Sequence, residues 1–133
     1  MLLNSPPSLS LPPSPATKQV TCSHLLVKHR DSRRPSSWKE EVITRSKEEA
    51  IELLNSFEKD LRKEDGAVSK DEFAKLASTE SHCSSAHNGG DLGRFERGKM
   101  QPAFEEAAFN LKVGEMSGIV ESQSGVHLIL RTQ

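Results

Sequence analysis

Two histidines and a cysteine are the residues of this 133-residue chain best suited to move protons or attack a bond. Side-chain alternation predicts a strand over Val20–His29 that carries His24, and a C-terminal apolar strand carries His127. Terminal strands are often neighbours in small sheets, so the two imidazoles can share a hydrogen bond, one donating and one accepting. Two structural histidines are the alternative interpretation.

Cys83 lies in a polar loop, Ser81–Ser85, that follows a predicted helix. A thiol in such a loop can be exposed and have a lowered pKa, and with either histidine it would form a nucleophilic Cys-His pair. A small residue tolerated in a loop is the alternative. The other cysteine, Cys22, is distant and shows no metal-ligand spacing with it, so we expect free thiols, a reducing compartment and no metal.

A cation cluster follows the first strand. Lys28 lies near the end of that strand, and Arg33 and Arg34 lie in the next loop, whose far end Trp38 is expected to anchor in apolar surroundings. Guanidinium groups bind phosphate bidentately and lysine adds a point charge; a solvated surface is the alternative. The net charge of −1 means that anion recognition must be local, and it disfavours nucleic acid as a partner.

Capping and turn signals predict where the remaining helices and strands lie along the chain. Ser46–Glu49 and Ser69–Glu72 are capping boxes that predict two helices, Leu92–Phe95 is a short strand, Pro102 opens a third helix, and Ser122–Gly125 turns a C-terminal hairpin. The order of strand, two helices, strand, helix and hairpin predicts an α+β domain with a small sheet packed by helices.

The first 18 residues differ from the rest of the chain because they are rich in proline and serine and almost uncharged. This composition predicts a disordered tail over residues 1–18 and one folded domain over residues 19–133. An organelle transit peptide is a secondary interpretation of the tail. We expect no membrane association, because no apolar run approaches the roughly 20 residues that a membrane span needs.

Taken together, the motifs resemble the parvulin peptidyl-prolyl cis/trans isomerases, from Gln19 to the C-terminus. The segments that carry the resemblance are Cys22–His29, Ser32–Trp38, Cys83–Ser85, Gly90–Gly93, Arg97–Gly98, Met100–Gln101, Phe104–Glu105 and Ser124–His127. The paired arginines resemble the phosphoprotein-specific branch, which acts on phosphoSer/Thr-Pro bonds. The resemblance implies the FKBP-like parvulin fold, a four-stranded, mainly antiparallel sheet surrounded by about four helices.

The resemblance also implies a role for each candidate residue. The residues expected to line the rotating bond are His24, Cys83, Ser124 and His127. Those expected to bind the substrate phosphate are Lys28, Arg33 and Arg34. Those expected to hold the proline ring are Leu92, Met100, Gln101 and Phe104. Isomerisation breaks no covalent bond, so a noncovalent role for Cys83 is favoured over nucleophilic attack.

The partners implied are phosphorylated Ser/Thr-Pro proteins, and no cofactor is expected. A monomer in the cytoplasm and nucleus is expected from family habit and from the lack of targeting signals. Many relatives carry an N-terminal WW domain, but here a Pro/Ser-rich segment without paired tryptophans occupies that end. A phosphopeptide-binding module or a chaperone-like domain, either with little catalysis, is the alternative function.

Overall fold

One four-stranded antiparallel sheet forms the centre of the computed structural model, which describes residues 18–133, with strand order β2-β1-β4-β3. The elements in chain order are β1 (Gln19–Val27), α1 (Lys47–Leu61), α2 (Lys70–Glu80), a short 3₁₀ helix (Ser84–Asn88), β2 (Asp91–Glu96), α3 (Pro102–Asn110), β3 (Val120–Ser122) and β4 (Gly125–Arg131). The predicted α+β fold is confirmed, with three α-helices and one 3₁₀ helix in the described region.

Two apolar clusters lie on opposite faces of the sheet, as the alternation in β1 requires. Leu25 and Val27 pack with α1 and α2 on one face. Cys22 packs with α3 on the other, in a cluster that includes Phe104 and Phe109. His24 shares this second face, and its ring meets the ring of Phe104 edge-on at 5.5 Å. Burial of the sheet therefore directs His24 toward α3.

Strand β1 is shorter than predicted, because it ends at Val27 rather than at His29. Its pairing with β4 continues to Val27, but its pairing with β2 stops at Ser23. The second half of β1 would thus leave backbone N–H groups unpaired inside the protein, which is costly. Acceptors outside the sheet bind them instead. These hydrogen bonds are His24 N to Gly90 O at 2.9 Å, Leu26 N to Ser81 Oγ at 3.0 Å and Lys28 N to His82 Nδ1 at 2.9 Å.

The helix caps are confirmed with one difference. Ser46 Oγ accepts from Glu49 N at 3.1 Å and Glu49 Oε1 accepts from Ser46 N at 2.8 Å, so this capping box is complete. Ser69 Oγ accepts from Glu72 N at 3.2 Å, but the Glu72 carboxylate binds Lys63 Nζ at 3.0 Å. The second box is therefore only half formed, because the lysine competes for its carboxylate.

The loop between β1 and α1 corrects the prediction for Trp38. This side chain is 44% exposed rather than buried in apolar surroundings. Its Nε1 donates to Ser81 O at 2.8 Å, and its ring lies 5.0 Å from the ring of His87. The indole anchors the loop through its polar atom, which an apolar pocket would have left unpaired.

The predicted tail lies outside the described residues, apart from Lys18. No helix in residues 18–133 is both long enough and apolar enough to cross a membrane. The same residues contain no cluster of histidine, cysteine, aspartate and glutamate side chains that could hold a metal ion.

Gly90 packs against the backbone of β1, and its substitution tests that contact. Its φ is +85°, and a Cβ placed there would lie 2.5 Å from His24 O. Gly66 is a matched control, with φ of +86° and no atom within 4 Å of an added Cβ. We expect Gly66→Ala to lower the free energy of unfolding by about 1–2 kcal/mol through backbone strain alone. Gly90→Ala should cost about 1–3 kcal/mol more, because the clash adds to the strain. Chemical denaturation measures both, and equal losses would contradict the steric contact with β1.

Candidate active site

A cavity of about 280 Å³ opens beside β1, β4 and the start of α3. It brings together every residue predicted to line the bond or hold the proline ring: His24, Cys83, Leu92, Met100, Gln101, Phe104, Ser124 and His127. Two further lining residues, Lys99 and Ser122, were missed by the sequence analysis. The predicted phosphate ligands do not line the cavity; they lie in or just before the loop that follows β1.

The two buried histidines meet across the sheet. Their Nδ1 atoms are 3.1 Å apart and their rings are stacked with centroids 5.2 Å apart. In the register between β1 and β4, His127 lies opposite Leu26, so the imidazoles are diagonal rather than direct neighbours. The predicted hydrogen bond between the histidines is confirmed. Phe104 presents its ring to both of them in T-shaped contacts, which excludes water from the pair.

The hydrogen bonds around the two histidines allow two proton arrangements, and the hydrogen bond from His24 to the Cys83 thiolate favours the one described next. Ser124 N donates to Ser122 Oγ at 3.1 Å, and Ser122 Oγ lies 2.6 Å from His127 Nε2. If the serine hydroxyl donates to Nε2, then His127 carries its proton on Nδ1 and donates it to His24. His24 is then protonated on Nε2, a buried atom with no hydrogen-bond partner among the described residues. While Cys83 is a neutral thiol this donor has no partner, and the Cys83 thiolate, once formed, is the group in the cavity wall that it serves.

His127 is neutral near physiological pH, as this network requires. Burial and the neighbouring His24 lower its pKa to about 3. A positive charge on this ring would also place a proton on Nε2, where Ser122 already donates. His127 therefore keeps one hydrogen-bonding arrangement at neutral pH.

Cys83 is a half-buried free thiol whose pKa falls to about 6. The largest cause is hydrogen bonding from the His24 side chain to the thiolate, and the side chain and backbone of Ser85 add to it against the effect of burial. Cys22 is also a free thiol, but burial raises its pKa to about 11. The expectation of free thiols is confirmed, and Cys83 brings a negative charge to the cavity at neutral pH.

Gln101 ties α3 to the hairpin between β3 and β4. Its Nε2 donates to Ser124 Oγ at 2.9 Å, and its Oε1 accepts from Gln123 N at 2.9 Å. Gln123 continues the connection, since its carbonyl oxygen accepts from Arg33 N at 2.8 Å and its side-chain amide oxygen accepts from the Arg33 guanidinium. Gln123 thus links the cavity to the cation-bearing loop, a role that its position in a turn did not predict.

The cation cluster is gathered by the loop after β1. Lys28 Nζ donates to Arg34 O at 3.0 Å and to Ser36 O at 2.8 Å, so one of its three donors stays available to an anion. Burial and the positive charge of Arg34 lower the pKa of Lys28, which shows that these two cations are close. The side chains of Arg33 and Arg34 belong to exposed residues. The three predicted phosphate ligands thus lie in or just before one loop, which Gln123 joins to the hairpin.

Comparison with known proteins decides the family. The model of the PPIC-type PPIase domain, a rotamase, matches residues 24–133. The chain belongs to this family. It is 58% identical over 113 residues to a peptidyl-prolyl cis-trans isomerase pin1 of Schizosaccharomyces pombe, a match that covers 85% of this chain and 62% of that relative. It is 47% identical over 121 residues to a peptidyl-prolyl cis-trans isomerase Pin1 of Digitalis lanata, covering 88% of this chain and 98% of the relative.

A solved structure of the same family confirms the predicted parvulin fold. The peptidyl-prolyl isomerase ESS1 from Candida albicans superposes with a TM-score of 0.79 at 49% sequence identity, covering 86% of this chain and 63% of that one. The PPIC-type domain thus accounts for most of the chain, while the chain spans less than two thirds of the Schizosaccharomyces and Candida proteins. The full plant relative is matched almost completely.

The two cysteines should differ in reactivity with pH, because one pKa is lowered and the other is raised. The Cys83 thiolate forms as pH rises through about 6, whereas Cys22 stays a buried thiol until about pH 11. We expect iodoacetamide to alkylate Cys83 alone in the native protein, with a midpoint near pH 6. His24→Asn should move the midpoint up by about one unit or more, since the hydrogen bond to the thiolate is lost. A midpoint near 9 in the unmodified chain would contradict the proposed thiolate.

Proposed function

We propose that this chain isomerises phosphoSer/Thr-Pro bonds by noncovalent stabilisation of the twisted amide. The observation that carries the proposal is the hydrogen-bonded connection through Gln123, which joins the cation-bearing loop to the hairpin and to Gln101 at an apolar cavity lined by the buried histidine pair. A phosphorylated residue followed by proline has the matching order of groups: an anion, the amide bond, and an apolar ring.

The energetic demand on such a site is modest. Rotation about a prolyl bond has a barrier near 20 kcal/mol, and an acceleration of 10³ to 10⁵ requires only about 4 to 7 kcal/mol of transition-state stabilisation. Amide resonance is what opposes rotation, so the site must favour a twisted amide over a planar one. No nucleophile is required.

The proline ring is expected to occupy the apolar part of the cavity, against Leu92, Met100 and Phe104. Contact with these side chains holds one side of the bond and removes water, which would otherwise stabilise the more polar planar amide. Lys28 and the two arginines hold the phosphate and thereby fix the residue before proline. The prolyl bond then rotates while the proline ring on one side and the phosphorylated residue on the other are both held in place.

The polar wall acts on the bond itself. The Cys83 thiolate places a negative charge beside the substrate carbonyl, which disfavours the planar resonance form with its negative oxygen. The Nε2–H of His24 stabilises that thiolate and is the donor left to the substrate when the carbonyl turns. Ser124 is held by Gln101 and completes the wall.

Exchange NMR on a phosphoSer-Pro peptide and its unphosphorylated counterpart tests the activity directly. We expect cis/trans exchange to accelerate strongly for the phosphorylated peptide and weakly for its counterpart. Binding without acceleration would indicate a phosphopeptide-binding module, and equal effects on both peptides would indicate a chaperone-like domain. A monomeric state and a location in cytoplasm and nucleus stay predictions.

Substitution of both arginines tests phosphate recognition. We expect Arg33→Ala with Arg34→Ala to lower kcat/KM on a phosphoSer-Pro peptide by about 100-fold, because each charge-assisted contact contributes about 1.5–3 kcal/mol before screening at the surface. The loss on a Glu-Pro peptide should be smaller, and on an Ala-Pro peptide about twofold or less. Equal losses on all three peptides would contradict the phosphate assignment.

Substitution of Cys83 tests the noncovalent mechanism. We expect Cys83→Ser to retain measurable isomerase activity at about a tenth of the original kcat/KM, since the charge is lost but the cavity is preserved. Cys83→Asp should retain more, because it restores a negative charge. Complete loss in Cys83→Ser, with thermal stability and peptide affinity unchanged, would argue for a covalent role.

A further inference from the structure

A closed ring of hydrogen bonds surrounds the backbone of Lys28. Lys28 N donates to His82 Nδ1 at 2.9 Å, and His82 Nε2 lies 2.9 Å from Glu40 Oε1. Arg45 then donates to the same Glu40 oxygen through NH2 at 2.5 Å and to Lys28 O through NH1 at 2.9 Å. The ring thus starts at the N–H of Lys28 and returns to its carbonyl oxygen.

The ring requires a neutral imidazole in one tautomer. His82 Nδ1 accepts from a backbone N–H, so its proton must lie on Nε2, where it is donated to Glu40. His82 is 4% exposed, and burial together with the positive charges of Arg45 and Lys39 lowers its pKa to about 4 despite the carboxylate of Glu40. The contact between His82 and Glu40 is therefore a hydrogen bond from a neutral ring and not an ion pair near pH 7.

The ring also supports the loop that carries the arginines. Arg45 O accepts from Arg30 N at 2.8 Å, and Ile43 N donates to Pro35 O at 2.9 Å, so the returning part of the loop is held against its outgoing part. At the root of the loop, the ammonium group of Lys28 binds two loop carbonyl oxygens, as described above. Displacement of the Lys28 backbone would therefore move the loop with it.

We propose that His82 is a positioning residue, which orients Lys28 and the loop bearing Arg33 and Arg34 toward the substrate phosphate. This inference rests on the proposed function, because it assumes that these cations bind a phosphate. The His82 side chain lines no part of the cavity, and its hydrogen bonds lead to Lys28 and Glu40. Because His82 directly precedes Cys83 in the chain, a displaced Cys83 would appear as a loss on neutral peptides, whereas an effect through Lys28 would not. Its contribution should appear on phosphorylated substrates and be nearly absent on neutral ones.

Steady-state kinetics on a phosphoSer-Pro and an Ala-Pro peptide test the proposal. We expect His82→Ala to lower kcat/KM about tenfold on the phosphorylated peptide, mainly through KM, and less than twofold on the neutral one. His82→Asn should recover most of the loss, because its side-chain oxygen can accept from Lys28 N in place of Nδ1. Glu40→Ala breaks the ring at a partly exposed residue and should act in the same direction, which provides a second variant if His82→Ala does not fold.

Lys39→Ala is the matched control. Lys39 belongs to the same loop and ties it to the end of α2 through Thr79 O at 2.9 Å and Glu80 at 3.2 Å, but it makes no contact in the ring. We expect both peptides to stay within twofold of the original kcat/KM. A loss on the phosphorylated peptide equal to that of His82→Ala would show that any loosening of the loop suffices, and would overturn the specific role of His82.

Hydrogen exchange of the Lys28 amide separates this inference from the proposed function. The amide should be protected in the original chain and in His82→Asn, and should exchange at least tenfold faster in His82→Ala. Faster exchange with unchanged phosphopeptide kinetics would overturn the positioning role, as would equal kinetic losses on both peptides. If the original chain does not prefer phosphorylated peptides, the proposed function fails by itself, while amide exchange still reports whether His82 holds Lys28.

Discussion

The need to pair the buried edge of β1 that β2 leaves uncovered determines where the site residues lie. Because β2 stops pairing at Ser23, the N–H groups farther along β1 must bind acceptors from other segments. The chain before β2 supplies Gly90 to one of them, and the segment after α2 supplies Ser81 and His82 to two more. Cys83 follows these residues directly and Leu92 lies two residues after Gly90. The cavity wall is thus built by the segments that complete the sheet.

Neutral histidines perform different tasks on the two sides of β1. His127 is held neutral by burial and passes a hydrogen bond toward His24, whose remaining donor is left to the Cys83 thiolate. His82 is neutral for a related reason, but both of its nitrogen atoms are used by the protein. The pair formed by His24 and His127 leaves one N–H group available for chemistry. Both ring nitrogen atoms of His82 are already bound within the protein, so His82 can only position its neighbours.

Local sequence signals predicted the elements, and long-range contacts set the details. Side-chain alternation in β1 correctly predicted that Cys22 and His24 share one face of the strand, and the capping box at Ser46 correctly predicted the start of α1. The family resemblance named eight residues that the structure then brings together around one cavity. Gln123 was missed because a glutamine in a turn carries no periodic signal, and its function depends on partners in the Arg33 loop and in α3. Trp38 was misjudged for a similar reason: a distant carbonyl oxygen, rather than an apolar pocket, anchors its ring.

The hairpin turn between β3 and β4 belongs to both halves of the recognition surface. Through Gln101 it forms part of the cavity wall, and through Arg33 it is bonded to the cation-bearing loop. Under the proposed function, an anion bound by this loop restrains the hairpin as well, so less entropy remains to be lost when an apolar ring enters the cavity. The affinities for the two parts of a ligand are then linked, and by thermodynamic reciprocity each part strengthens the binding of the other by the same factor.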